Sequence, residues 1–216
     1  MEIAIIGGHG QVALLLERKL AGAGHRTRAI IRNPAHSADV QAAGAEPVIC
    51  DLEDPDADLA GAVAGADAVV FAAGAGPGSG PERKRTVDLG GALSLVAAAG
   101  EAGVTRYVMV SAIGADEPGR ATGAMAPYIQ AKAEADAAVQ ASGLRWTIVR
   151  PGHLTDDPGT GRVAIAERLP YGDIPREDVA EVLLACLEQD ATVGRAFTVT
   201  AGDVPVAEAL AAYAAP

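Results

Sequence analysis

The segment that most restricts the fold is a β-branched run, Ile3-Ala4-Ile5-Ile6, that passes directly into Gly7-Gly8-His9-Gly10-Gln11-Val12-Ala13. The spacing fits both G-x-G-x-x-A and the overlapping G-x-x-G-x-x-A. Glycines there let the chain turn sharply and bring bare backbone up to an anion, which then faces the positive end of the next helix. A small residue at Ala13 lets that helix lie close to the strand. Because the pattern follows a strand, opens a helix and sits in a unit of about 30 residues, it reads as a diphosphate cradle for a dinucleotide. Gly7, Gly8, His9, Gly10, Gln11 and Val12 are its candidate contacts. The alternative is a bare structural turn.

The rest of the chain continues that rhythm. Short β-branched runs predict strands at Glu2–Ile6, Arg26–Ile31, Glu46–Cys50, Ala68–Ala72, Arg106–Val110, Trp146–Val149 and Ala196–Thr200. Several are apolar throughout, as suits a parallel sheet covered on both faces. Alanine-rich stretches predict helices at Gln11–Ala23, Ala35–Ala43, Asp56–Val63, Glu82–Ala102, Pro127–Ala141, Arg176–Glu188 and Val206–Tyr213. Pro34, Pro55, Pro127 and Pro175 mark helix starts, and Gly24, Gly44, Gly65, Gly103 and Gly143 mark helix ends. The run from Gly74 to Gly80 reads as a loop rather than a domain linker. The expectation is one α/β domain, a parallel sheet of six or seven strands between two helix layers. Residues 1–150 form the cofactor-binding core, and the less regular residues 151–216 a small substrate-side extension with the last strand and helix.

Composition removes several function classes. The net charge of -11 and aromatic content of 3% argue against nucleic acid and anionic membrane surfaces as partners. No apolar run approaches the ~18 residues needed to span a bilayer, and no secretory signal is expected. Cys50 and Cys186 match neither a zinc spacing nor a disulfide framework, which suits a reducing cytoplasm and buried small side chains. No histidine and carboxylate pair has a helical metal spacing, so no metal is expected. A small-molecule substrate is the expected partner, and monomer and homodimer stay open.

The second strand ends at Ile31-Arg32-Asn33, where a cradle for NAD would offer a carboxylate to the ribose 2′-hydroxyl. Arg32 stands there instead, and a guanidinium pairs with a 2′-phosphate, so NADP(H) is preferred over NAD(H). The alternative is a solvated arginine at a strand end, and Arg28 is a weaker second candidate. Asp51 and Leu52 follow the third strand where an adenine would be flanked, although Asp51 would equally cap the next turn.

Tyr128 and Lys132 stand four residues apart on one helical face. A nearby ammonium favours the phenolate and eases proton exchange with a substrate oxygen. Ser111 follows the strand Tyr107–Val110 and would bring a hydroxyl to the same crevice. The alternative is a surface Tyr–Lys pair and a strand-end serine. His9, inside the glycine turn, reads equally as a cofactor contact and as a solvated histidine. His153 is a candidate substrate contact, His25 and His36 read as exposed, and the acidic run Asp51 to Asp58 and Asp156-Asp157 read as solvated loops.

Together the glycine turn, Ser111, Tyr128, Lys132 and Ile148-Val149-Arg150-Pro151-Gly152 resemble the short-chain dehydrogenase/reductase superfamily. More narrowly they are similar to its atypical extended branch of small NAD(P)-binding proteins, with NmrA-like, flavin/biliverdin-reductase-like and sugar-epimerase-like members. The resemblance extends to Val87–Gly91 and Ile174–Ala180. It implies a Rossmann-type doubly wound, three-layer α/β/α fold. It also implies Tyr128 as general acid/base, Lys132 lowering its pKa and holding the nicotinamide ribose, and Ser111 orienting a substrate carbonyl. Backbone at Pro151, Gly152 and His153 would flank the nicotinamide, and Ala72, Ala73 and Gly74 the adenosine side. Asp88 replaces an asparagine that many relatives carry, and the stretch after Arg150 is shorter than sugar-nucleotide epimerases devote to substrate. The implied activity is hydride transfer between NADPH and a small carbonyl, quinone or similar acceptor. The alternatives are an NADP(H)-sensing regulator without turnover and an NAD(P)-dependent epimerase or dehydratase.

Overall fold

The computed structural model describes residues 1–76 and 78–215; Pro77, in the stretch read as a loop, and Pro216 lie outside the described residues. All seven predicted strands are present. They are β1 (Glu2–Ile6), β2 (Arg26–Ile31), β3 (Glu46–Ile49), β4 (Ala68–Phe71), β5 (Arg106–Val110), β6 (Arg145–Pro151) and, after three further strands, β10 (Arg195–Ala201). Their order is β3-β2-β1-β4-β5-β6-β10, every neighbouring pair parallel. The order reverses between β1 and β4, and there the carboxyl ends of the strands open a crevice.

The reason for two covered faces is visible in β1. Ile3 and Ile5 pack into the layer formed by α1 (Gln11–Gly22), α7 (Arg176–Glu188) and α8 (Val206–Ala214). Ala4 and Ile6 pack into the opposite layer, with α3 (Leu59–Val63), α5 (Gly91–Glu101) and α6 (Ala126–Ala141). All four are fully buried, so a polar residue at any of them would lack water on either face. The fold is therefore the doubly wound α/β arrangement. Among the described residues no helix is long and apolar enough to cross a membrane.

Three expectations need correction. The sheet has nine strands, because β8 (Arg162–Ala166) pairs antiparallel with β10, and β11 (Val204–Pro205) pairs antiparallel with β8. β7 (His153–Thr155) and β9 (Asp173–Pro175) form a separate two-stranded parallel sheet. These are short pieces among glycines and prolines, and they become strands through pairing rather than through local pattern. The helix predicted from Asp56 starts only at Leu59. The Asp58 carboxylate accepts the Gly61 N–H at 2.7 Å and sets that start, while Asp54 accepts the Asp56 N–H and holds a turn before it. Residues 34–42 divide into a 3₁₀ turn (Pro34–His36) and α2 (Ser37–Ala42).

The helix predicted over Glu82–Ala102 is continuous but not uniform. α4 (Pro81–Arg83) leads into a π-helical stretch (Lys84–Gly90) and then α5. Such bulges recur at functional positions, and this one carries Asp88 into full burial. The five glycines predicted to end helices all have φ between 71° and 88°, a conformation closed to most side chains.

Candidate functional site

The glycine turn is held from two sides. Gly7 has φ +81°, and a Cβ there would lie 2.6 Å from the Ala73 Cα; a Cβ on Gly8 would lie 2.5 Å from the Ala29 Cβ. Neither position has room for a side chain. The amides of Gly7 and Gly8 donate to the Ile30 carbonyl at 3.2 and 3.1 Å, and the Gly10 amide donates to the Gly7 carbonyl at 2.8 Å. These bonds fix the turn against β2 and leave the first amides of α1, at Gln11, Val12 and Ala13, without intrahelical partners. An anion placed at that helix end meets those donors and the positive end of the helix dipole. The cradle thus fits a dinucleotide diphosphate.

A cleft of about 300 Å³ opens beside it at the switch between β1 and β4. Gly7, His9, Gly10, Arg32, Asp51, Leu52, Ala72, Ala73 and Gly74 line it, so most of the residues assigned to the cofactor converge there. Gly8, Gln11 and Val12 do not line it: Gly8 presses on Ala29, Val12 is buried, and Gln11 is exposed. The His9 side chain, on the cleft wall, is engaged within the protein. Its Nε2 lies 2.8 Å from Asp39 Oδ2 and its ring stacks on His36 at 3.6 Å. Asp51 is a turn former, since its Oδ1 accepts the Glu53 N–H at 3.0 Å. Arg28 is removed as a cofactor candidate: it donates to the carbonyls of Ala62 and Ala64 and pairs with Glu2. Cys186 is buried, whereas Cys50 is half-buried and lines the cleft wall.

Tyr128, Lys132 and Asp136 occupy successive turns on one face of α6. The Lys132 side chain is 4% exposed; its Nζ lies 3.2 Å from Asp88 Oδ1 and donates to the Val110 carbonyl at 3.1 Å. It also sits 5.9 Å from the centre of the Tyr128 ring. Asp88 Oδ2 accepts the Ala75 N–H at 3.2 Å, which joins the lysine to a residue of the cleft wall.

This arrangement corrects the expected direction for the tyrosine. Burial pushes the Tyr128 phenol above its ordinary 10.0; Lys132 pulls it back, and Asp88 and Asp136 add to the rise. The ammonium is there, but burial outweighs its pull, so the phenol holds its proton more tightly than a free tyrosine does.

Ser111 is buried at the carboxyl end of β5, its amide donating to the Val149 carbonyl at 2.7 Å. Its hydroxyl faces the Asp136 carboxylate and pulls that group down against its burial, without closing a hydrogen bond of ordinary geometry. Among the described residues no hydrogen bond joins Ser111 to Tyr128 or Lys132. Asp136 pairs with Arg150 at 2.8 Å, both nearly inaccessible. That pair was not foreseen, and the only local signal was an arginine inside the apolar run of β6.

The backbone of Pro151, Gly152 and His153, expected to flank a nicotinamide, is engaged within the protein. The Gly152 amide donates to Val199, the His153 amide to Gly172, and the Pro151 carbonyl accepts from Ile113. A Cβ on Gly152 would collide with the Gly172 carbonyl oxygen, so the segment is a tight crossing of chains. The His153 side chain is exposed and pairs with Asp173 at 3.1 Å. Like Ser111, Tyr128 and Lys132, these three residues do not line the 300 Å³ cleft.

Over residues 7–190 the chain matches the family described as NAD(P)H-binding. It is 42% identical over 211 residues to the Bacillus subtilis (strain 168) protein named uncharacterized sugar epimerase YhfK, across 97% of this chain and 99% of that one. A solved structure from Bacillus halodurans, whose name places it among NAD-dependent epimerases/dehydratases, superposes with a TM-score of 0.94 at 35% identity, covering 98% of this chain and 99% of the other. The oxidoreductase ylbE from Lactococcus lactis superposes with a TM-score of 0.87 at 28% identity, covering 98% and 96%.

Proposed function

The chain belongs to the NAD(P)H-binding family, and we propose that it is an NADP(H)-dependent oxidoreductase passing hydride to a small carbonyl, quinone or similar acceptor. The observation that carries this reading is the Tyr128 ring 5.9 Å from the ammonium of the buried Lys132–Asp88 pair, with Asp88 tied through Ala75 to the wall of the cleft. When bound, the reduced cofactor supplies the hydride. Tyr128, kept protonated by its burial, donates the phenolic proton to the substrate oxygen. Lys132, held by Asp88 and the Val110 carbonyl, fixes the face of α6 that presents the phenol. The Ser111 hydroxyl, buried beside Asp136, would have to turn from that carboxylate to meet a substrate oxygen.

The names of the relatives divide between epimerase or dehydratase and oxidoreductase. Net consumption of cofactor separates these activities. With a panel of carbonyls and quinones, NADPH absorbance falls for the wild type, and Tyr128→Phe slows the fall about a hundredfold while NADPH affinity stays within about twofold. The wild-type rate shows no loss from phenol ionisation below the ordinary value of 10.0. Turnover that leaves the cofactor's redox state unchanged would instead establish the epimerase class, and cofactor binding with no turnover at all a sensor.

Arg32, about half exposed on the cleft wall, supports the preference for the phosphorylated cofactor. Arg32→Ala weakens NADPH binding about tenfold or more and leaves NADH nearly unchanged, measured by calorimetry. Equal losses for the two cofactors reject the preference.

A further inference from the structure

Arg32 does not face the cleft alone. Glu53, from the turn after β3, accepts from Arg32 Nη1 at 3.4 Å and from Arg83 Nη2 at 2.9 Å through the same oxygen, Oε2. Its other oxygen, Oε1, accepts the Thr86 hydroxyl at 2.9 Å. Arg32, Glu53 and Arg83 all line the cleft. Two guanidiniums and a hydroxyl therefore converge on one anionic group at the position where the second strand ends. That donor set is also the one a phosphate monoester needs, with planar forks of N–H donors and a neutral hydroxyl to take up the remaining lone pairs.

We infer that Arg32, Arg83 and Thr86 form an exchangeable anion site in which the Glu53 carboxylate and the cofactor 2′-phosphate are alternative occupants. Arg83 is then a second specificity-determining residue, and Glu53 the internal competitor. The inference rests on the cofactor reading above and adds to it a reason for graded selectivity. With the phosphorylated cofactor, the carboxylate must give up the two arginines, since two anions on one pair of guanidiniums repel. With the unphosphorylated cofactor, Glu53 keeps both arginines and the site stays neutralised. All three charged side chains retain partial exposure, between 31% and 54%, so the exchange requires rotamer changes and not a rearrangement of the fold.

Calorimetric titration of the full chain with NADPH, NADH, adenosine 2′,5′-bisphosphate and adenosine 5′-monophosphate tests this without reference to turnover. Arg83→Ala is expected to weaken both 2′-phosphorylated ligands about tenfold and change the other two less than about twofold. Glu53→Gln, which keeps the shape and removes the competing charge, is expected to tighten the 2′-phosphorylated ligands by about threefold to tenfold. In the double variant that gain is expected to shrink, because one of the released arginines is gone. If Arg83→Ala lowers all four affinities alike or none, or Glu53→Gln brings no gain, the exchangeable site is overturned while the cofactor reading stands. If the wild type binds neither NADPH nor NADH, the cofactor reading itself fails.

Discussion

Replacing Asp88 by alanine lowers the unfolding free energy by about 3–5 kcal/mol, because it leaves the Lys132 ammonium buried without its counter-charge. Asp88 is fully buried and Lys132 is 3% exposed, so water cannot replace the lost partner. The Val110 carbonyl alone remains to the ammonium, and the Ala75 amide loses its acceptor. Asp88→Asn keeps an acceptor for that amide and removes only the charge, so its loss is smaller and its fold remains measurable. Urea unfolding gives both numbers. The asparagine variant also changes the tyrosine: with Asp88 no longer pushing it up and Lys132 no longer balanced, Tyr128 ionises at lower pH than in the wild type. Ultraviolet difference absorbance reports that ionisation. If Asp88→Ala unfolds within about 0.5 kcal/mol of the wild type, the buried pair has no structural role.

The second large effect concerns Glu17, on the buried face of α1. It is fully buried, and neither carboxylate oxygen has a hydrogen-bond partner. Burial raises its pKa from an ordinary 4.5 to about 8, only partly offset by Arg18. The sign follows from proton binding: between these two values the unfolded chain has lost the proton and the folded chain retains it. Stability is therefore greatest with the group protonated in both states and falls as pH rises from about 4.5 to about 8, then levels. The loss is on the order of 5 kcal/mol at 1.36 kcal/mol per pKa unit. Glu17→Gln has no proton to lose. Its stability relative to the wild type therefore grows by about that amount across the same range, while the two proteins nearly coincide at pH 4.5. Denaturant unfolding of both at several pH values checks it, and a difference that does not change with pH would contradict the raised carboxyl.

Much of the architecture was legible because it depends on local pattern. The largely apolar runs at Glu2–Ile6 and Arg106–Val110 become β1 and β5 with the predicted bounds, since a strand covered on both faces is predominantly apolar. The glycine turn was legible for a similar reason: φ +81° at Gly7 and the contact with Ala73 demand the absence of a side chain. The strands β7, β8, β9 and β11 were not legible, because pieces of two to five residues take strand form from their neighbours. Asp88 is visible in the sequence as a carboxylate inside a long helix, but its partner stands on α6, forty-odd residues along the chain. Nothing in either segment announces the other.

The amino-acid sequence by itself determined the seven parallel strands, the helix layers and the residue types of the cradle and the Tyr–Lys face. These follow from periodicity and from steric limits that act over a few residues. Only the tertiary structure decided which charges meet. Lys132 is balanced by Asp88, Arg32 and Arg83 share Glu53, Arg150 is held by Asp136, and Glu17 has no partner. Those outcomes depend on distances of about 3 Å and on the loss of water between segments far apart in the chain, and the strength of a charge in a protein is set by both.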